Sequence, residues 1–435
     1  MKSSMATQYN SGHAMLTALL FFTFIATAII FGIANPIIRQ VRIGSDLLRS
    51  KESFFLADSA IEDVVYRLKS SKTVNTTEFL NLNRGFSTTT VADILDGKEI
   101  TSIANSQDSV RKIKLTLALG TGVSFNYGIQ SGQGGFRLYN SSSVSGNVFS
   151  SGSVIGDGNY IYGDVISSGS NGLVYGIHAT GSVYAHTIGS TLQSTIVDKD
   201  AFYQNKVSTV VNGTSYPGSP DQAPIGLPIS DSLVTRWEND AATGGVITAC
   251  DSKGDYTITS SVTLGPVKIA CNLVVKSASA ILTVAGPIWV TGNITFQTGP
   301  TVRMLPSLGN LNAAIIADNP SNRLTSGVIT VGQSTIFQNS GSVGSFVFLI
   351  SQNNSAENGG TLDAISMNQG AAALVAYAGH GQITLSQSVS LKEVTAYKIV
   401  LSQTANVLYD KGLPNTLFQS GPSGGYQFLN WEEIR

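Results

Sequence analysis

The chain has 435 residues, of which 26 are basic and 27 acidic, so its formal net charge is −1. This balance argues against nucleic acid as a partner, because no excess of Lys and Arg exists to neutralise phosphates. Charged residues make up 12% of the chain, where about 25% is typical, and 45 residues are glycine. Such a composition is typical of an extracellular, repetitive β structure rather than of a cytosolic enzyme.

The first feature along the chain is an apolar run, Ala14–Ile38, and no charged residue lies between Lys2 and Arg39. About 20 apolar residues cross a bilayer core of roughly 30 Å as a helix. We therefore predict a leader over residues 1–12 and a transmembrane helix over residues 13–38 that contacts lipid. A cleaved signal peptide is disfavoured, because its apolar region is typically about 7–15 residues long.

An amphipathic pattern follows the apolar run. Leu47, Phe54, Ile61 and Val65 recur at helical spacing, which predicts an amphipathic stalk helix over residues 39–72. Its apolar stripe would either cover the protein's own globular domain or contact neighbouring subunits in a filament, and both alternatives stay open. Pro36 predicts a kink where the helix leaves the membrane.

Gly12, an uncharged apolar helix and an unbroken amphipathic helix with the phrase SFFLADSAIEDVVYRL at Ser53–Leu68 together resemble a type IV pilin-like protein. The resemblance covers about residues 12–70 and is closest to the PilX-type minor pilins. It implies cleavage by a prepilin peptidase after Gly12, which would leave His13 as the mature N-terminus. Thr17 occupies the fifth mature position, where pilins usually carry a glutamate, and this departure favours a minor or tip component.

Residues 73–135 are predicted to form a mixed α/β, pilin-like region. A short helical piece is predicted over Val91–Leu95. Strict alternation of apolar and polar residues predicts a half-buried strand over Arg111–Leu119.

From residue 136 onwards, short β runs alternate with turns of Gly, Ser and Asn. Three- to five-residue runs such as Val267–Ile269 and Ile288–Val290 cannot each bury a face alone, but stacked rungs can. The predicted fold is therefore mainly β, with a right-handed parallel β-helix in parts over residues 136–187 and 246–420. Its texture resembles pectin-lyase-like and bactofilin-like solenoids.

Residues 188–245 interrupt this texture and predict an excursion from the solenoid, or a linker between two solenoid halves. Within them, a helix is predicted from Ser230 to Ala242, with Ser230 or Asp231 as N-cap, and Trp237 should pack this helix onto the sheet. Residues 421–435, with Phe428 and Trp431, are predicted to be a C-terminal cap that protects the last rung.

The chain contains two cysteines, Cys250 and Cys271. Outside the cytoplasm they would form a disulfide, which stabilises a fold by about 3 kcal/mol in the chain-entropy description. Two buried free thiols are the alternative. No C-x-x-C motif indicates zinc binding or redox chemistry.

No catalytic, cofactor or metal site is predicted. His178, His186 and His380 lack a signalled third ligand or base partner, which zinc binding or nucleophilic catalysis would need. Glycosidases need two carboxylates that flank the scissile bond, whereas acidic residues after residue 246 are few and scattered.

Taken together, these features predict a membrane-anchored, exported, non-catalytic minor component of a type IV pilus or related filament machinery, with a structural or adhesive role. Its body would lie outside the cell or in a surface filament. Expected partners are membrane lipid and pilin-like subunits, with surface glycans or a host surface as adhesion targets. The alternatives are a lone surface-anchored β-helical adhesin and a carbohydrate-active enzyme of β-helix fold.

Overall fold

The computed structural model describes residues 11–69, 74–82, 85–94, 97–119, 122–123, 125–368, 374–409, 416–418 and 426–434. The fold is mainly β, preceded by a long apolar helix. The helices are α1 (Ser11–Lys69) and α2 (Asp231–Thr243), and a single 3-10 turn spans Pro306–Leu308. Residues 1–10 of the predicted leader lie outside the described residues.

The strands are numbered in chain order. The first eighteen are β1 (Thr77–Leu82), β2 (Gly85–Ile94), β3 (Gly97–Ser106), β4 (Ser109–Leu119), β5 (Gly122–Val123), β6 (Ile129–Leu138), β7 (Ser143–Ser145), β8 (Val148–Ser150), β9 (Val154–Tyr162), β10 (Val165–Ser167), β11 (Leu173–Ala179), β12 (Val183–Ile188), β13 (Thr195–Val197), β14 (Ala201–Lys206), β15 (Thr209–Val211), β16 (Ser215–Pro217), β17 (Val246–Ile247) and β18 (Asp255–Ile258).

The remaining strands are β19 (Val262–Leu264), β20 (Val267–Ile269), β21 (Asn272–Val275), β22 (Ile281–Val284), β23 (Ile288–Val290), β24 (Ile294–Phe296), β25 (Thr301–Met304), β26 (Leu311–Ala317), β27 (Ile329–Val331), β28 (Ile336–Gln338), β29 (Val347–Ser351), β30 (Asp363–Asn368), β31 (Leu374–Ser386), β32 (Ser390–Leu391), β33 (Glu393–Leu401), β34 (Asn406–Leu408), β35 (Thr416–Phe418) and β36 (Tyr426–Ile434).

Helix α1 is continuous from the apolar run into the amphipathic stretch. It passes through Pro36 without interruption, although a proline inside a helix removes one backbone hydrogen bond. The predicted transmembrane and stalk helices are therefore two parts of one element. Helix α1 ends at Lys69, and residues 70–73 lie outside the described residues.

The chain divides into two compact units, and the first contains α1, residues 74–116 and residues 428–435. Its five-stranded sheet has the order β1-β2-β3-β4-β36, and its first two pairings are antiparallel hairpins. The C-terminal half of α1 lies on this sheet: the Ser106 N–H donates to the Ser53 hydroxyl at 3.1 Å. Ala57, Ile61 and Val64 are buried there.

Two sequence predictions change in this first unit. Val91, predicted to be helical, lies in β2 opposite Ile100, because hairpin pairing overrides a weak local helix preference. The predicted C-terminal cap, in its described part, is strand β36, which is the neighbour of β4 in the five-stranded sheet.

The second unit is built from parallel ladders in which each strand pairs with strands of the next rung. Its first ladder has thirteen strands, in the spatial order β17, β20, β23, β26, β29, β31, β33, β6, β8, β10, β12, β14, β16. From β20 to β14 its inward row is apolar and buried: Val267, Ile288, Ile315, Leu349, Ala376, Val394, Ile129, Val148, Val165, Val183 and Ala201.

Two further ladders share long strands with the first or with each other: the second contains β31, β33, β6 and β12 of the first ladder, and the second and third both contain β9 and β11. The second ladder runs β18, β21, β24, β27, β30, β31, β33, β6, β9, β11, β12. The third runs β32, β34, β7, β9, β11, β13, β15. A separate four-stranded parallel sheet contains β19, β22, β25 and β28.

The order of the strands in the ladders shows the path that the chain takes through the second unit. The two predicted solenoid parts are one continuous stack, because Val394 of β33 pairs directly with Ile129 of β6. The predicted excursion over residues 188–245 also begins later than expected: strands β13 to β16, which end at Pro217, still pair in the ladders. Only residues 218–243, hereafter the strap, leave the stack, as an extended stretch followed by α2.

Helix α2 agrees closely with its prediction. The Ser230 hydroxyl is the N-cap and accepts a hydrogen bond from the Leu233 N–H at 3.4 Å. Trp237 is completely buried in an apolar cluster with Ile316 and Phe348 on the outer face of the first ladder. The helix therefore covers apolar side chains that the ladder directs away from its interior.

Candidate functional site

The exposed N-terminal half of α1 is the first candidate site. Its side chains from Met15 to Ile38 are almost all exposed, and Phe24 retains 75% of its accessible surface. Among the described residues, α1 is the one helix whose length and composition would allow it to cross a membrane. So large an apolar surface is not stable in water and calls for lipid or other protein chains.

The polar side chains within this apolar half are partly satisfied by the helix itself. The hydroxyls of Thr23 and Thr27 donate to the carbonyls of Leu19 and Thr23. Such bonds to the preceding turn lower the cost of a hydroxyl in an apolar environment. Threonine at these positions is therefore compatible with a helix surrounded by lipid.

The exposed surface of α1 extends beyond the apolar run. Val41, Ile43, Leu47 and Leu48 follow Arg39 and remain exposed. Contact with the sheet begins near Ser50, whose hydroxyl accepts a hydrogen bond from Arg111 Nε at 2.9 Å. The apolar surface of α1 that is not covered by its own domain thus runs through residue 48.

The predicted processing site, Gly12 and His13, lies in the first turn of α1. The side chains of this turn are outside the described part of the chain.

Cys250 and Cys271 form a disulfide with a Cα–Cα distance of 6.4 Å. They follow β17 and β20, which are paired at the end of the first ladder. The bond closes a loop that contains β18, β19 and β20. It therefore links the first rung of the stack to the second.

Each of the three histidines in the second unit contacts a carboxylate. His178 Nε2 lies 3.0 Å from Asp198, and His186 Nδ1 lies 3.1 Å from Asp221. The two histidines stand on different strands, β11 and β12, and have different partners. The two histidines are therefore not part of one site, although they lie only eight residues apart in the sequence.

His380 has carboxylates on both ring nitrogens. Nδ1 lies 2.6 Å from Glu357 and Nε2 lies 2.9 Å from Asp231 of α2. Burial by itself lowers the pKa of His380, but the bonds to Asp231 and Glu357 outweigh it and raise the pKa above its ordinary value. Only the protonated ring can donate to both carboxylates at once, so the two contacts favour the imidazolium.

The structure also joins carboxyl groups that sequence reasoning missed. Glu238 of α2 is 5% exposed and shares a hydrogen bond with Asp318, which follows β26. Arg323 binds both oxygens of Asp318, at 2.8 and 2.7 Å. Burial, followed by the charge of Asp318, raises the pKa of Glu238 to about 8. Glu238 is therefore a carboxylic acid at neutral pH.

A second buried carboxyl, Glu393, lies at the start of β33 and is completely buried. Burial raises its pKa well above the ordinary value, although a hydrogen bond from the Thr395 hydroxyl works in the opposite direction. The sequence signal for either glutamate is weak, because Glu238 precedes Asn239 and Asp240 and Glu393 follows Lys392, and such polar neighbours are typical of exposed positions.

In the described part of the chain, no group of three or more His, Cys, Asp or Glu side chains is arranged to hold a metal ion.

No family model matches the chain, and no curated protein matches it. Among solved structures, it is similar to the competence-associated pilin ComZ from Thermus thermophilus, at 13% identity and a TM-score of 0.37, over 89% of this chain and 97% of that one. It is also similar to an ice binding protein from an Antarctic biological consortium, at 12% identity and a TM-score of 0.26, over 65% and 86%. At these TM-scores neither likeness defines the fold or the function of this chain.

Proposed function

We propose that this protein is a membrane-anchored, exported minor subunit of a type IV pilus or related filament. The observation that carries the proposal is α1, a single helix that is uncharged, apolar and exposed up to Ile38, still exposes apolar side chains up to Leu48, and packs on a sheet from about Ser50 onwards. Such a helix needs two environments: lipid before assembly, and the helices of pilin-like neighbours after it.

The body of this subunit is, in our proposal, a right-handed parallel β-helix that is displayed from the filament. Three parallel ladders with shared strands and a continuous apolar interior support this architecture. We assign the body a structural or adhesive role without catalysis. Its surface glycan or host target would be contacted through the many uncharged polar side chains on the outside of the rungs.

N-terminal peptide mapping by mass spectrometry tests the proposal in the native cells. Membrane and mechanically sheared surface fractions are compared for the first residue of the mature chain. We expect His13 as that residue, in both fractions. A chain that keeps Met1 and never enters the sheared fraction would instead identify a lone anchored adhesin.

Phe24→Lys tests the role of the apolar helix. A lysine at the centre of a membrane helix costs about 2.5–3.5 kcal/mol, so the variant should be depleted from both fractions. Val343→Lys is the matched control, because Val343 is 94% exposed on the second unit and its substitution adds the same charge. Equal recovery of the two variants would refute the proposed anchor.

The catalytic alternative needs a separate assay. The full chain in detergent is incubated with acidic and with neutral glycans, and released oligosaccharide is measured. Equal release by a mock preparation that lacks this chain would indicate a contaminating enzyme. Release by the wild type well above that of the mock preparation would replace the non-catalytic assignment.

A further inference from the structure

The strap, residues 218–243, is the connection that allows the stack to be continuous. It begins after β16 at one end of the first ladder and ends before β17 at the other. Twelve strand spacings separate these ends by about 58 Å. The thirteen extended residues reach at most about 43 Å, and α2 adds about 20 Å. The strap is thus only just long enough to run the length of the ladder.

The contacts of the extended part follow the ladder in order. Asp221 contacts His186 on β12, and the Gln222 carbonyl accepts a hydrogen bond from the Gly169 N–H at 2.9 Å. Further along, the Gly226 carbonyl accepts a hydrogen bond from Gln130 Nε2 on β6 at 2.9 Å. The strap therefore lies against successive rungs rather than projecting from them.

The second part of the strap covers apolar surface. The buried Tyr377 hydroxyl on β31 donates to the Ile229 carbonyl. Beyond it, Leu233, Val234 and Trp237 of α2 cover two adjacent apolar rows on the outward face of the ladder, which contain Ile316 and Ile350 in one row and Phe348 and Val375 in the other. Opening of the strap would expose these apolar rows to solvent.

Two protonated groups hold α2 in place. His380 lies between Asp231 of α2 and Glu357, which come from opposite sides of the ring. Glu238 faces Asp318 on the ladder side, with Arg323 bound to that same carboxylate and Lys268 of β20 as the next charge. Both contacts lose a hydrogen bond if the proton leaves.

We propose that the strap is a proton-controlled clasp that closes on the ladder at acidic and neutral pH and opens as the pH rises.

The sign of this dependence follows from the two groups. The closed strap raises the pKa of Glu238 from 4.5 to about 8 and raises that of His380 above 6.5. A raised pKa means that the closed state binds protons that the open state releases. The stability that this proton gives to the closed strap is therefore fully present below the ordinary pKa, and it is lost as the pH rises to the raised pKa. The window is therefore about pH 4.5 to 8 for Glu238, and from 6.5 upwards for His380.

Hydrogen exchange followed by mass spectrometry tests the clasp on the full-length protein in detergent. Peptides from residues 218–243 and 346–351 are compared at pH 6, 7 and 8, after correction for the intrinsic pH dependence of exchange. Each released proton multiplies the opening constant by up to about ten per pH unit. We expect opening to increase more than tenfold between pH 6 and pH 8 in both regions.

Glu238→Gln separates the clasp from ordinary loosening, because glutamine fills the same space and cannot ionise. The variant should open less than the wild type at pH 8 and should show a shallower pH dependence. Asp240→Asn is the control: it removes a carboxylate from the same helix, outside both contacts, and should leave the wild-type slope unchanged.

His380→Gln provides an independent readout in case Glu238→Gln folds poorly. It removes the imidazolium, so the strap should be more open at pH 6 and approach the wild-type level at pH 8. Acrylamide quenching of Trp237 fluorescence should follow the same order. Equal corrected exchange of the strap at pH 6 and pH 8 in the wild type, or unchanged slopes in both variants, would overturn the proposal.

Discussion

The two units of this protein each cover a sheet with a helix, but they differ in how far apart their paired strands lie in sequence. In the first unit, Leu82 pairs with Gly85 and Ile94 with Gly97, so β1, β2 and β3 pair with their neighbours in sequence, and only β36 joins the five-stranded sheet from a distant part of the chain. In the second unit, β33 pairs with β6, which lies far earlier in the chain. Local pairing closes cheaply, whereas distant pairing must offset a larger entropy of loop closure.

The difference shows why the second unit needs a strap. Strands β1, β2 and β3 of the first unit pair without any long connection between them. In the second unit, β6 is the first strand of the first ladder in sequence but lies in the middle of that ladder. One segment must therefore return from the β16 end of the ladder to the β17 end. Covering the outer face of the ladder with that segment also buries apolar residues, so the connection contributes to stability as well as to topology.

Trp237→Ala should have the largest effect on the second unit. Trp237 is completely buried between α2 and the ladder, and truncation of a buried tryptophan costs about 3–5 kcal/mol. Urea unfolding monitored by circular dichroism should show this loss. A loss below about 1 kcal/mol would mean that α2 contributes little to the ladder that it covers.

Ile61→Ala makes the corresponding change in the first unit. Ile61 lies on the buried face of α1 and is 2% exposed, so about 2–5 kcal/mol should be lost. Hydrogen exchange of β2 and β3 should increase accordingly. Leu48→Ala, at an exposed apolar position of the same helix, is the control and should leave the exchange of β2 and β3 close to that of the wild type.

The double variant Cys250→Ser, Cys271→Ser tests the end of the stack. The two cysteines are 21 residues apart, and a loop of this length corresponds to about 3 kcal/mol in the chain-entropy description. The second unit should therefore unfold at lower urea concentration. A reductant should lower the stability of the wild type to the same level and leave the variant unaffected; a further loss in the reduced variant would contradict this explanation.

Sequence reasoning performed best where the determining signal is local. Helix α2 is predicted over residues 230–242 from the N-cap candidates Ser230 and Asp231, which lie within the segment, and the structure gives Asp231–Thr243. The strand predictions Val267–Ile269 and Ile288–Val290 agree with β20 and β23 for the same reason. Each run is bounded by its own turn residues.

The remaining features depend on residues that are distant in sequence. Nothing in the sequence near Ile129 indicates that Val394 is its neighbour, so a single ladder could not be distinguished from two halves. The short runs of β13 and β15 lack a pattern of their own and are strands only because neighbouring rungs pair with them. The contact between Glu238 and Asp318 likewise exists only because the strap returns along the ladder.

Glu393→Gln probes a carboxyl group that the ladder buries without a charged partner in direct hydrogen-bond contact. Because burial raises its pKa, the wild type should lose stability as the pH rises above the ordinary value of 4.5, where an unfolded chain would release the proton. The variant should match the wild type near pH 4.5 and exceed it at pH 8. Urea midpoints across this range measure the difference, and parallel profiles would show that Glu393 ionises without cost.

Lys98→Gln should have the smallest effect and completes the comparison of the two units. Lys98 and Asp93 form an ion pair in the hairpin of the first unit, with the Asp93 side chain 84% exposed, whereas Asp318 in the pair with Arg323 is 0% exposed. An exposed pair contributes about 0–1 kcal/mol, since water and salt screen it, while removal of one partner from a buried pair costs about 3–5 kcal/mol. Urea unfolding should therefore barely distinguish Lys98→Gln from the wild type, but Arg323→Gln should be clearly destabilised. A Lys98→Gln loss as large as that of Arg323→Gln would mean that the hairpin sheet depends on its surface charges as much as the ladder depends on its buried ones.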